Sequence, residues 1–130
     1  MTEFLGVSPR LPVINLARQL AFYRDVLGFE SGEPWPREAP TFCLAWKGAA
    51  VLQFDLAEEN TAARDVTVCL NVADARAVYE AVKGRVTIEW GPEVYWYGRR
   101  EFSFRDPEGY GVIISEVTSD PPDCTDGSGT

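Results

Sequence analysis

The chain contains no histidine. Imidazole is the one side chain that titrates near neutrality without help, and it is the commonest metal ligand. Histidine triads, His/Glu zinc centres and histidine general bases are therefore excluded. Basic residues are also scarce: 12 Lys and Arg stand against 20 Asp and Glu, a formal charge of −8. That balance argues against nucleic acid, whose binding relies on cationic side chains releasing counterions, and suits a small cationic partner or plain solubility. No apolar run approaches the roughly 20 residues of a membrane span. The three cysteines, at 43, 69 and 124, form no CxxC pair. With an odd count and no signal-peptide pattern, they are expected to be reduced thiols of a cytoplasmic protein.

What is present is a globular composition, 45% apolar over 130 residues, enough for one domain or two small fused repeats. Ser8–Val13 is a short segment bounded by Pro9 and Pro12. Asn15 then offers an N-cap to the periodic run Leu16, Leu20, Tyr23, Leu27, closed by Gly28, a pattern that predicts an amphipathic helix. After a Pro-rich loop, TFCLAW and AVLQFDLA read as strands joined by a two-residue turn at Gly48-Ala49. Such a turn sets the register: Trp46 faces Val51, Leu44 faces Gln53 and Phe42 faces Asp55, all six on one sheet face. Leu52, Phe54 and Leu56 point the other way.

A second cycle follows the polar stretch EENTAARD. VTVCLNV reads as a strand, Asp74 caps a helix carrying Ala75, Val78 and Val82, and strands are expected near VTIEW, REFSF and YGVIISE. Asn15 and Asp74 stand 59 residues apart, as do Val13 and Val72. The order predicts an α+β fold built from two βαβββ modules, 1–58 and 66–117, joined by a linker at 59–65. The segment 118–130, TSDPPDCTDGSGT after Val117, has no apolar face and is expected to form a mobile acidic tail.

NLARQLAFYRDVLGFE in the first module and FRDPEGYGVIISE in the second resemble the vicinal oxygen chelate superfamily of glyoxalases, extradiol dioxygenases and bleomycin-resistance proteins. GRREFSFRDPEGYG, together with Pro9 before Leu11, is most similar to the bleomycin-resistance group. The resemblance covers about residues 7 to 117. It implies a curved mixed sheet with helices on its convex face, and a homodimer that exchanges its N-terminal strand across a hinge at Pro9. Metal-dependent members of the superfamily have four ligand positions, which map onto Ser8, Gln53, Thr67 and Ile113. None of these is an imidazole or a carboxylate, so no metal and no cofactor is expected.

The resemblance also implies a ligand groove. On the first module its face carries Phe42, Leu44, Trp46, Gln53 and Asp55, with an antibiotic-contacting aromatic at Phe42 and a small polar contact at Asp55. On the second it carries Cys69, where the group often has a tryptophan. The segment EWGPEVYWYGRREF adds Tyr95, Trp96, Tyr97 and Glu101. Successive strand residues alternate between faces, so three adjacent aromatics cannot all be buried, and an exposed ring stacks on flat ligands and attracts cations. Trp96 or Tyr97 falls at the group's stacking tryptophan.

Asp106, in DPEGYG, reads as a turn residue, and Arg99 and Arg100 as partners of Glu93 or Glu101 or as solvated cations. The expected function is non-catalytic sequestration of an aromatic antibiotic: a bleomycin-like glycopeptide, a mitomycin-like compound or a planar-chromophore depsipeptide. The alternatives are a metal-independent isomerase or thiol or glutathione transferase, and a purely structural or regulatory dimer.

Overall fold

The computed structural model describes residues 1–123, and it contains two compact units, the first spanning Met1–Thr61 and the second beginning at Ala62. The first holds β1 (Arg10–Val13), α1 (Leu16–Asp25), β2 (Glu30–Ser31), β3 (Phe42–Lys47) and β4 (Ala50–Leu56). The second holds a 3-10 turn at Ala63–Asp65, β5 (Thr67–Asn71), α2 (Ala75–Val82), β6 (Trp90–Tyr95), β7 (Arg99–Arg105) and β8 (Gly111–Val117). Each unit is a βαβββ module with a four-stranded mixed sheet, ordered β1-β4-β3-β2 and β5-β8-β7-β6.

The helices start where their caps dictate. Asn15 Oδ1 accepts a hydrogen bond from Arg18 N at 3.0 Å, and Asp74 Oδ1 accepts one from Ala77 N at 3.1 Å, so each satisfies an amide that the helix itself leaves unpaired. Leu16, Leu20 and Tyr23 recur at helical spacing and are buried as α1 packs on β2, β3 and β4. Tyr23 is the centre of that core: its ring lies 5.4 Å from both Phe29 and Phe54. In the second unit α2 covers β6, β7 and β8, where Phe102, Phe104, Val112 and Ile114 are buried. A helix on one face of each sheet leaves the alternate residues of every strand on the other.

The β3–β4 hairpin has the register expected from its two-residue turn, with Phe42 opposite Asp55, Leu44 opposite Gln53 and Trp46 opposite Val51. Two other expectations are corrected. VTIEW is not a strand; β6 begins at its last residue and runs through Gly91 and Pro92 to Tyr95. Pro92 is tolerated because β6 is an edge strand, and a bulge between Trp90 and Glu93 absorbs the irregularity. Trp96 and Tyr97 consequently lie in the β6–β7 turn, not in a strand, with Gly98 at φ +82° closing it. Residues 118–123 are tied back to the sheet. Thr118 N donates to Gly98 O at 3.0 Å, Asp123 N to Val94 O at 2.7 Å, and Val94 N to Asp123 Oδ2 at 2.8 Å. The rest of the expected tail, with Cys124, lies outside the described residues.

Candidate functional site: two open sheet faces

On the first unit, Leu11, Val13, Cys43, Ala45, Leu52 and Phe54 fill the helix side. The alternate positions form the open face: Arg10 and Pro12 on β1, Phe42, Leu44 and Trp46 on β3, Val51, Gln53 and Asp55 on β4. All five residues expected there, Phe42, Leu44, Trp46, Gln53 and Asp55, share it. Sequence reasoning missed Arg10, whose guanidinium lies 4.6 Å from the centroid of the Phe42 ring while its Nε donates to Gln53 Oε1 at 3.0 Å. Gln53 is itself turned by donating from Nε2 to Ser8 Oγ at 3.3 Å. The signal was present in the alternation Arg10-Leu11-Pro12-Val13, but the neighbour of Arg10 depends on parallel pairing with β4, which local sequence does not encode. Phe42 therefore meets an arginine over its ring.

On the second unit the face away from α2 carries Thr67, Cys69 and Asn71 on β5, Ile113 and Ser115 on β8, Arg99, Glu101 and Ser103 on β7, and Glu93 and Tyr95 on β6; of these Tyr95, Glu101, Ser103 and Ser115 are buried. Arg99 Nη1 donates to Asn71 Oδ1 at 3.0 Å and to Ser115 Oγ at 3.1 Å. Arg100 points to the helix side and pairs with Glu116 and Asp120, so neither arginine takes the expected glutamate partners. Glu116 reaches further, accepting from Ala75 N at 2.9 Å and so binding the start of α2 to β8.

The aromatic segment forms a ladder. Trp90 meets Tyr95 edge-on at 5.6 Å, Tyr95 stacks on Tyr97 at 5.8 Å and 10°, and Trp96 meets Tyr97 edge-on at 5.3 Å. Tyr95 is buried, whereas Trp90, Trp96 and Tyr97 are 37%, 55% and 49% exposed. Both stacking candidates are thus accessible, although because they sit in a turn and not because strands alternate. The Tyr97 hydroxyl donates to Glu101 Oε1, and Glu101 is only 5% exposed. Desolvation, followed by this carboxylate, pushes the Tyr97 hydroxyl well above its ordinary value. Desolvation also raises the Cys69 thiol, with Glu101 adding to it. The thiol is held protonated at neutral pH and is a poor nucleophile.

Among the described residues no three His, Cys, Asp or Glu side chains gather as metal ligands. Three of the four family positions do not fit a cation. Gln53 turns its oxygen to the Arg10 guanidinium, Ser8 is spent on Gln53, and Ile113 has no donor atom. Asp106 is the expected turn residue, its Oδ1 accepting from Glu108 N and Tyr110 N at 3.0 and 3.1 Å. A separate cleft of about 370 Å³, lined by Ile14, Leu16, Leu20, Pro34, Pro40 and Leu56 among others, opens at the start of α1. Its polar side chain, Asn15, is committed to the helix cap.

Residues 7–114 match the Glyoxalase/Bleomycin resistance protein/Dioxygenase superfamily. The chain belongs to this superfamily. Among solved structures, the bleomycin-binding protein of bleomycin-producing Streptomyces verticillus, crystallised with copper(II)-bleomycin, is 23% identical. It aligns over 92% of this chain and 100% of its own, with a TM-score of 0.71. An integron cassette protein from the mobile metagenome of Halifax Harbour sewage outfall is 21% identical over 86% of this chain and 97% of its own, at 0.73. A glyoxalase/bleomycin resistance protein/dioxygenase from Nocardioides is 16% identical over 95% and 89%, also at 0.73. At these identities the likeness is one of fold. A comparison with curated protein sequences gives no match.

Proposed function

We propose that the protein binds an aromatic natural-product antibiotic and sequesters it unaltered, conferring resistance. The observation that carries this reading is the exposed aromatic surface beside a carboxylate: Trp96 and Tyr97 are half exposed, and the Tyr97 hydroxyl donates to the buried Glu101. Stacking on such rings and pairing with acids supply affinity without any reacting group. Covering a few hundred Å² of apolar ligand surface is worth on the order of 8 kcal/mol before association costs are subtracted, which permits micromolar binding. On the first unit Leu44 and Trp46 offer a second apolar surface.

The functional form in this reading is a homodimer whose groove is completed by the second copy, with Pro9 as the hinge of an exchanged N-terminal strand. Phe4, Leu5 and Val7, which precede that hinge, are 81%, 92% and 85% exposed, as an arm that packs on a partner requires. Sedimentation of the full chain against a variant lacking residues 1–7 tests the dimer: loss of the dimer on deletion supports exchange, and an unchanged mass opposes it.

Binding is tested by titrating the protein with bleomycin, mitomycin C and a quinoxaline depsipeptide, following tryptophan fluorescence and recovering the ligand for mass analysis. Saturable quenching with unchanged ligand mass is expected. Trp46→Ala or Trp96→Ala should each weaken binding by about 1 to 3 kcal/mol with the fold intact. Turnover of the ligand would move the reading to an enzyme, and silence across the panel would move it to an interface patch.

A further inference from the structure

We propose that Arg10 is a recognition residue for a ligand carboxylate, so that the open face of the first unit takes a flat apolar body bearing a planar oxyanion. This rests on the small-molecule-binding reading above and names the chemistry of one half of it. An arginine on the surface of a chain with 20 acids and 12 bases ordinarily drifts to a carboxylate. Asp55 is on the same face, one alternate position further along β4 than Gln53, yet Arg10 makes no ion pair among the described residues. It is held instead by two neutral groups, with Nε bonded to the Gln53 amide at 3.0 Å and the guanidinium plane over Phe42 at 4.6 Å. Ser8 fixes the Gln53 amide in turn.

A guanidinium carries five N–H donors, and among the described residues the Nε–H of Arg10 is the one with a hydrogen-bond acceptor. The Nη edge stays available while the side chain's rotamer freedom is already spent. Such a fork matches a carboxylate bidentately, and its preorganisation lowers the cost of binding. Leu44 and Trp46 follow Phe42 at alternate positions of β3, roughly 7 Å apart, and supply the apolar floor for the attached body. Asp55 opposes an anion in general, so the attraction for one comes from the Arg10 fork.

The test is isothermal titration calorimetry with 2-naphthoate and its neutral isostere 2-naphthamide on the full chain. The carboxylate should bind about tenfold more tightly, since a charge-assisted bidentate pair exceeds a neutral contact. Arg10→Ala should remove that preference and leave naphthamide binding in place. Gln53→Leu, which keeps the charge and frees its anchor, should reduce the preference severalfold. Equal affinity of the two compounds for the unmodified protein overturns the role of Arg10 while leaving aromatic binding standing. A preference that survives Arg10→Ala also overturns it, and a full preference in Gln53→Leu overturns the anchoring. If neither compound binds, the aromatic-binding reading falls together with this one.

Discussion

Replacing Tyr97 by phenylalanine removes one oxygen and leaves a buried carboxylate short of its donor. Glu101 is 5% exposed, and its Oε1 accepts from the Tyr97 hydroxyl. A hydrogen bond to a charged group contributes about 1.5 to 3 kcal/mol when both partners are dry. Tyr97 is half exposed, so water competes for the site and the expected loss is nearer about 1 kcal/mol. In a chain of this size that lowers the melting temperature by about 4 °C. The pH dependence has a definite sign. The folded state raises the Tyr97 hydroxyl above its ordinary value of 10.0, first by desolvation and then through Glu101. The folded protein therefore keeps this proton longer than the unfolded chain does. The contribution is complete below about pH 10 and disappears as pH rises through the folded value.

The assays are urea unfolding of wild type and Tyr97→Phe across the alkaline range, and ultraviolet titration of tyrosinate. The stability gap between the two proteins should be flat up to about pH 10 and then close. The difference between their tyrosinate titrations should isolate one hydroxyl that ionises later than an ordinary tyrosine. Glu101→Gln should bring that hydroxyl part of the way back, because desolvation, the larger cause, remains. A difference titration centred on the ordinary value, or a gap that does not change with pH, would refute the coupling of Tyr97 to Glu101.

Three further substitutions probe the frame. Asn15→Ala and Asp74→Ala each remove a cap seen at 3.0 and 3.1 Å and should cost about 1 kcal/mol in urea unfolding. The loss should be slightly larger at Asp74, whose charge also favours the helix N-terminus, and the pair should be additive. Gly91→Ala should cost about 2 kcal/mol or more in thermal unfolding. The residue sits at φ +76°, and a Cβ there would lie 2.2 Å from the backbone oxygen of Glu101 and 2.9 Å from Phe102 Cα. Ordinary stability in this variant would show that the bulge of β6 does not depend on glycine.

How far the sequence was legible follows from the range of each interaction. The Gly48-Ala49 turn fixes the β3–β4 pairs because it is local, and so the open face of β3 and β4 was readable in full. Asn15 and Asp74 bond residues three positions ahead, again within reach of a local pattern. Arg10 was missed because its partners, Gln53 and Phe42, lie 43 and 32 residues away, the first recorded at that separation and the second by subtraction of the numbers in the chain. β6 was placed too early because Gly91-Pro92 looks like the end of a strand; only its edge position makes the pair tolerable. The return of Asp120 and Asp123 to Arg100 and Val94 is a long-range match of charge and backbone that the polar composition of the segment concealed.

The two modules also differ more on one sheet face than on the other. Equivalent positions follow from the ladders: Leu11 and Cys43 flank Phe54 as Leu70 and Phe102 flank Ile114. All six are buried and apolar, because each must fill space against a helix. On the opposite face the same ladders put Arg10 where the second module has Cys69, Gln53 where it has Ile113, Phe42 where it has Glu101, and Asp55 where it has Ser115. No two of these pairs share a chemical class. Positions that carried only a structural demand would have stayed apolar or drifted to solvated polar residues. Instead the first face holds a guanidinium on a ring and the second a carboxylate under a tyrosine, each fixed by specific side-chain contacts. The helix-side residues are thus sufficient to account for the βαβββ frame, and the two modules differ in the groups on their other faces.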